Sequence, residues 1–291
     1  MAARNRLCVF CGSELATARS REHVFPQWLL RHLGASSRQV EPTYMIIDEG
    51  QVKDVRHSTY GDLLEGRICA GCNNGWMSRL ENDIRQVLVD LAEGRRLARQ
   101  LSDEQRILLT RWAAKTVYVL NSSSNFPLKV PAEHLRVLAE NGQPVDGVFL
   151  YCTQSDSEVP LGFVQGPIWL TVSESEALSR FDELAHDSYK ISLKIGRLLM
   201  LVAYWPDRRW QHILVPGVHD RVWPRGGARL VRPAPIPLWG VKEALRLSLF
   251  HWSLGIANTS VFTARLQLRG AVGWPPDGFQ EETGPSGKPN H

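Results

Sequence analysis

A chain of 291 residues is long enough for one large domain or two modest ones, and 43% apolar with 22% charged residues is ordinary for a folded, non-fibrous protein. The longest apolar run, Leu198 to Trp205, is too short to cross a bilayer, and the N-terminus has no apolar signal core. The expectation is therefore a cytoplasmic protein with no membrane partner. The net charge of +4 is mild, but residues 188–275 carry 13 Lys and Arg against 3 Asp and Glu, while residues 101–187 carry 6 against 12. A one-sided basic block points to a polyanion, most directly nucleic acid, although a solvated basic face has the same composition.

The first notable element is a short knuckle, Cys8-Val-Phe-Cys11-Gly12, followed by Glu22-His23-Val-Phe-Pro26. Two β-rich runs flanking Asp48-Glu49-Gly50 read as a hairpin. Next comes a second pair, Cys69-Ala-Gly-Cys72, with Asn73 immediately after it. Apolar residues at 76, 80, 84, 88 and 91 recur at helical spacing and predict a helix over 74–98. Ser102 and Gln105 form a capping-box pattern opening a helix to about Leu120.

Pro131 and Gly142 bracket a short helix, AEHLRVLAEN. Strands are then predicted at GVFLYCT, GFVQ, IWLTV, KISLKI, LLMLVAYW and HILV, with an acidic helix over 174–186 and a last helix over 241–257. The fold class expected is α+β. Residues 1–100 form a zinc-binding module, residues 101–275 a mixed α/β module of unassigned role, and residues 276–291 a Gly/Pro-rich disordered tail.

Two CxxC pairs in a cytosolic chain read as a metal site before they read as disulfides or a redox motif, since neither pair sits in a thioredoxin-like βαβ context. Zinc takes four thiolates in a tetrahedron, and one CxxC turn supplies two of them, so Cys8, Cys11, Cys69 and Cys72 are the candidate ligands. Cys152, alone in FLYC, reads as a small buried hydrophobe. Closing such a site folds the intervening chain back, so that Glu22-His23 can meet Asn73. A carboxylate and an amide oxygen are hard ligands suited to Mg²⁺ or Mn²⁺, and a neighbouring imidazole is a natural base toward water. Taken alone, Asn73 reads equally well as a helix cap, and His57, His134, His186, His212, His219 and His251 read as structural or exposed.

This order of residues, CxxC, an acidic-His pair with proline shortly after, then CxxC-Asn, resembles the HNH, or ββα-metal, endonucleases. The form represented by the phage recombination endonuclease VII is similar, over residues 5–90. The resemblance implies His23 as general base, Glu22 and Asn73 as ligands of a catalytic Mg²⁺ or Mn²⁺, and the four cysteines as ligands of a structural zinc. It implies hydrolysis of phosphodiester bonds in DNA, with phage defence or a mobile element as the setting. The chain departs from the family in having Glu where Asp is commoner, and in offering only Asp62 or His57 at the middle position. Arg225, Arg229 and Arg232 of the basic block are the candidate phosphate contacts, and the second module is a candidate dimerisation surface. The competing expectation is a zinc-ribbon protein that binds nucleic acid without cutting it.

Overall fold

The computed structural model describes residues 7–15, 20–40, 43–46, 51–55, 57–124, 126, 129–155, 159–166, 170–171, 188–206, 210–213, 220–224 and 255–258. Helices and sheets both build the fold, as the α+β expectation requires. The acidic helix expected over 174–186 and the C-terminal tail lie outside the described residues.

The first half opens with strand β1 (Ser20–His23) and helix α1 (Gln27–His32), which Pro26 starts by fixing its own backbone without needing an N–H. Short strands β2 (Gln39–Val40) and β5 (Ser58–Thr59) pair with each other, as do β3 (Thr43–Ile46) and β4 (Gln51–Val55), the two arms of the hairpin read around Asp48-Glu49-Gly50. Strand β6 (Leu64–Ile68) returns antiparallel to β1, with Ser20 opposite Ile68, Glu22 opposite Glu65 and His23 opposite Leu64. A single turn α2 (Ala70–Cys72), a wider turn over Asn73–Met77 and helix α3 (Ser78–Ala92) follow.

The helix expected over 74–98 is thus shorter and later. Gly75 takes a non-helical conformation (φ −89°, ψ −108°), so regular winding begins at Ser78. At the other end Gly94 turns the chain out with φ +74°.

Helix α4 (Asp103–Ser123) starts where its sequence predicts. The Ser102 hydroxyl accepts from the Gln105 N–H, and the Gln105 side chain accepts from the Ser102 N–H. Every residue from Trp112 to Asn121 is buried. A helix buried on all sides must lie between two layers. One layer is the β1–β6 ribbon with α3; the other is a five-stranded antiparallel sheet.

That sheet runs in the order β13 (Asp220–Trp223), β7 (Val148–Gln154), β11 (Leu198–Tyr204), β10 (Tyr189–Ile195), β8 (Leu161–Gly166). Tyr189, Ile191, Leu193 and Ile195 of β10, with Leu198, Met200 and Val202 of β11, join the apolar cluster that also contains Trp112, Val117 and Tyr118. Helix α5 (Ala132–Asn141), bounded as the sequence reads by Pro131 and a left-handed Gly142, packs beside α4. Strands β9 (Leu170–Thr171), β12 (Trp210–Ile213) and β14 (Gly255–Asn258) form a separate three-stranded sheet. Residues 255–257, expected at the end of a last helix, are therefore strand; the rest of that stretch lies outside the described residues. Cys152 is fully buried, as its surroundings in FLYC imply. Among the described residues, no helix is long and apolar enough to cross a membrane.

The two halves are joined by specific backbone contacts. The Tyr60 hydroxyl donates to the Leu161 carbonyl at 2.8 Å, and the tight turn between β10 and β11 docks on the end of α3. There the Arg197 N–H donates to the Ala92 carbonyl at 2.6 Å, satisfying one of the acceptors a helix C-terminus leaves open. The turn needs Gly196 at φ +54°, and a Cβ there would run into the Ala92 carbonyl oxygen. Gly196→Ala is therefore expected to destabilise the protein by about 2 kcal/mol or more, from a strained φ and a backbone clash together. Denaturant melts of the two proteins check it; equal midpoints would show that the turn and the helix end do not meet.

Candidate functional site

The four cysteines converge. Their sulfurs all lie within 4.8 Å of one another, and Cys11 Sγ and Cys69 Sγ are 3.6 Å apart. A tetrahedron of Zn–S bonds of about 2.3 Å sets its sulfurs roughly 3.8 Å apart, so the spacing fits zinc. The elements deliver them economically. The Cys8 N–H donates to the Ser13 carbonyl at 2.8 Å and closes the knuckle, with Gly12 at φ +71°. Cys69 follows β6 and caps α2, its Sγ accepting from the Cys72 N–H at 3.3 Å, while Cys8 Sγ accepts from the Cys69 N–H at 3.4 Å. Backbone N–H groups aimed at the sulfurs favour thiolate. Burial pushes the Cys72 and Cys69 thiols up. Burial pushes the Cys11 thiol up too, but hydrogen bonds with Ser13, Cys69 and Cys8 together outweigh it and bring it down to about 6. Such a crowd of thiols becomes four thiolates only beside a cation.

Asn73 follows at once, and its Nδ2 donates to the Ser20 hydroxyl of β1. With the amide nitrogen so tied, Oδ1 is the atom left to face a ligand. The strand joined in this way is the one that carries Glu22 and His23. Among the described residues no hydrogen bond links Asn73 directly to either of them. His23 is half-buried, and the Gln27 amide donates to its Nε2 at 3.1 Å when the ring proton sits on Nδ1. Burial holds the His23 imidazole below its ordinary value. Lys115 adds to that effect, and Glu81 and Asp62 oppose it. Asp62, a candidate for the middle position, accepts from the Thr59 hydroxyl at 2.6 Å and is near enough to His23 to act on its charge.

Glu22 has company that the sequence did not announce. It is 6% exposed, and its Oε1 accepts from the ammonium of Lys115, which is itself wholly buried on α4. The same Nζ donates to Glu81 Oε1 of α3 at 2.7 Å. Burial favours the neutral amine at Lys115, but the two carboxylates outweigh it and hold the pKa above its ordinary value. Burial holds the Glu22 carboxyl above its ordinary value, and Lys115 offsets only part of that. These directions oppose each other. Two acceptors converging on one nitrogen decide for the ion pair.

The need for it is visible in the register. Glu22 and Glu65 stand directly opposite on β1 and β6, and facing like charges destabilise a ribbon. Each is neutralised separately. Arg67 clamps Glu65 with Nε and Nη2 at 3.1 Å each and reaches the Ser122 carbonyl of α4 at 2.9 Å.

Sequence reading named Glu22, His23, Asn73 and the four cysteines, and it missed Lys115, Glu81, Ser20 and Gln27. The available signal was Lys115 itself, a lone charge inside WAAKTVYVL. Arg225, Arg229 and Arg232 lie outside the described residues. Comparison with family models, with curated proteins and with solved structures returned no match.

Cys69→Ser is expected to lower zinc content and melting temperature together, because structural zinc contributes roughly 10 kcal/mol to folding in small zinc domains. Atomic absorption and a thermal melt on the same sample check it. A variant with the wild-type melting temperature and no bound metal would overturn the four-thiolate site.

Proposed function

We propose that the protein is a metal-dependent endonuclease of the HNH, or ββα-metal, kind, acting on phosphodiester bonds in DNA. The observation that carries the reading is the unit β1–β6–α2/α3. An antiparallel ribbon runs into a helix across a four-cysteine cluster, and it brings Asn73 onto the strand that holds Glu22 and His23. In this reading the four cysteines hold a structural zinc.

Glu22 Oε2 and Asn73 Oδ1 are hard oxygen donors without a hydrogen bond among the described residues, a donor set that suits Mg²⁺ or Mn²⁺. Such an ion supplies stabilisation of the charge that develops at phosphorus and on the leaving oxygen. The remaining work belongs to the chain. Neutral His23 takes a proton from water at Nε2, the nitrogen to which Gln27 now donates, so Gln27 marks the direction from which a donor approaches. Arg225, Arg229 and Arg232 are assigned to backbone phosphates on the strength of the charge distribution alone. Phage defence or a mobile element remains the proposed setting.

A second reading has one observation in its favour. The ion pair with Lys115 uses one oxygen of Glu22, which suits a zinc-ribbon module that binds nucleic acid without cutting it.

The discriminating experiment is single-turnover plasmid cleavage with Mg²⁺ or Mn²⁺. His23→Ala is expected to keep fold and zinc while cleavage falls by 10²–10⁴-fold, the usual worth of a positioned base. Wild-type cleavage by that variant would leave the binding module as the better account.

The protonation of His23 gives an independent check. Because burial lowers its pKa, the neutral base is the dominant form at pH 7 and persists as the pH falls through the ordinary imidazole value of about 6.5. Cleavage is expected to hold through that pH and decline only below it, with the His23 ring resonances in an NMR titration moving over the same range. A ring titrating at or above the ordinary value would overturn the expectation.

A further inference from the structure

The cation that meets Glu22 comes from α4, far along the chain. Lys115 is fully buried, and its single nitrogen is shared by a carboxylate from β1 and another from α3. Two carboxylates from different elements converging on one point are the usual oxygen setting of a divalent cation; here an ammonium occupies the point. We infer that Lys115 is the resident cation of the Glu22–Glu81 pair, a positioning residue that keeps Glu22 from holding a divalent ion tightly until a DNA phosphate adds its charge.

The inference rests on the nuclease reading for its consequence, but not for its geometry. Glu22, Glu81 and Lys115 together carry one net negative charge, Asn73 and neutral His23 add none, and Asp62, whose charge acts on His23, contributes equally with or without Lys115. Affinity for hard cations follows the charge count and rigidity of the oxygen ligands. A triad with one net charge, and with Glu22 Oε2 free of hydrogen bonds among the described residues, binds a divalent ion weakly. A phosphate diester brings the second negative charge. Metal and DNA then raise each other's affinity by the same factor, as linkage requires. Removing the ammonium alone reverses the balance, because two buried carboxylates are left without a counter-charge.

The test uses the full-length, zinc-loaded protein with Mn²⁺ as the probe, titrated by calorimetry without DNA and followed by thermal melts. Lys115→Met is expected to bind Mn²⁺ about tenfold or more tightly than wild type, as an added ligand charge should give. Its lowered melting temperature should recover in Mn²⁺, while that of wild type does not respond. Lys115→Arg keeps the charge and should behave as wild type toward Mn²⁺. Adding Glu22→Gln and Glu81→Gln to Lys115→Met should abolish the gain.

A Lys115→Met protein that is less stable but binds Mn²⁺ no better than wild type would assign the lysine to packing alone and overturn the inference. So would one that stays insoluble with and without Mn²⁺. Plasmid cleavage by wild type, run in parallel, separates the two claims. No cleavage beside a clear Mn²⁺ gain removes the nuclease and keeps the resident cation; cleavage beside no gain does the reverse.

Discussion

An ammonium in the middle of a helix buried on every side is tolerable only where carboxylates meet it, and the architecture follows from that demand. Lys115 fixes how α4 lies against the β1–β6 ribbon, because Glu22 and Glu81 must both reach one nitrogen. One turn along α4 from Lys115, the Tyr118 hydroxyl shares a 2.8 Å hydrogen bond with that of Tyr189 on β10. The five-stranded sheet is thereby placed as well. Apolar burial supplies most of the stabilisation in such an interior, but it is not directional. The polar contacts choose among the many ways in which oily surfaces pack.

The candidate site is assembled from pieces that are each too small to hold shape. Strand β1 has four residues and α2 three. The cysteine cluster gathers the knuckle, the end of β6 and the start of the helix at one point, and the Asn73–Ser20 hydrogen bond joins the helix start to β1. Once those ends are fixed, the order of residues along β1 decides what each side chain meets. Glu22 turns into the protein toward α4, and His23, its neighbour, meets Gln27 of α1 instead.

Much of this was legible in the chain. The α4 capping box, the bounds of α5 and most of the sheet strands follow from periodicity and from Pro and Gly placement, which are local signals. Spacing alone brought the four cysteines together. The early strands were not legible: β1 and β6 are short, and 40 residues separate His23 from Leu64, so nothing local marks their pairing. The overlong helix after Cys72 came from an apolar period that marks a face but not the ends, which Gly75 and Gly94 set through their backbone conformations. Hardest to see was the partner of Glu22. A lysine in an apolar helix announces that some carboxylate meets it but not which one, since that depends on how distant segments are stacked.

The distance along the chain between Glu22 and Lys115 also orders events during synthesis. They are 93 residues apart, whereas Cys8 and Cys69 are 61 apart and Tyr60 and Leu161 are 101 apart. Chains leave the ribosome N-terminus first at roughly 5–20 residues per second, so the cysteines are complete seconds before α4 emerges. In that interval the Glu22 carboxylate stands in water, ionised and unshared. The nascent first half therefore passes through a stage in which its acidic pair is open to any cation present, and translation of α4 ends that stage by delivering the cation from within.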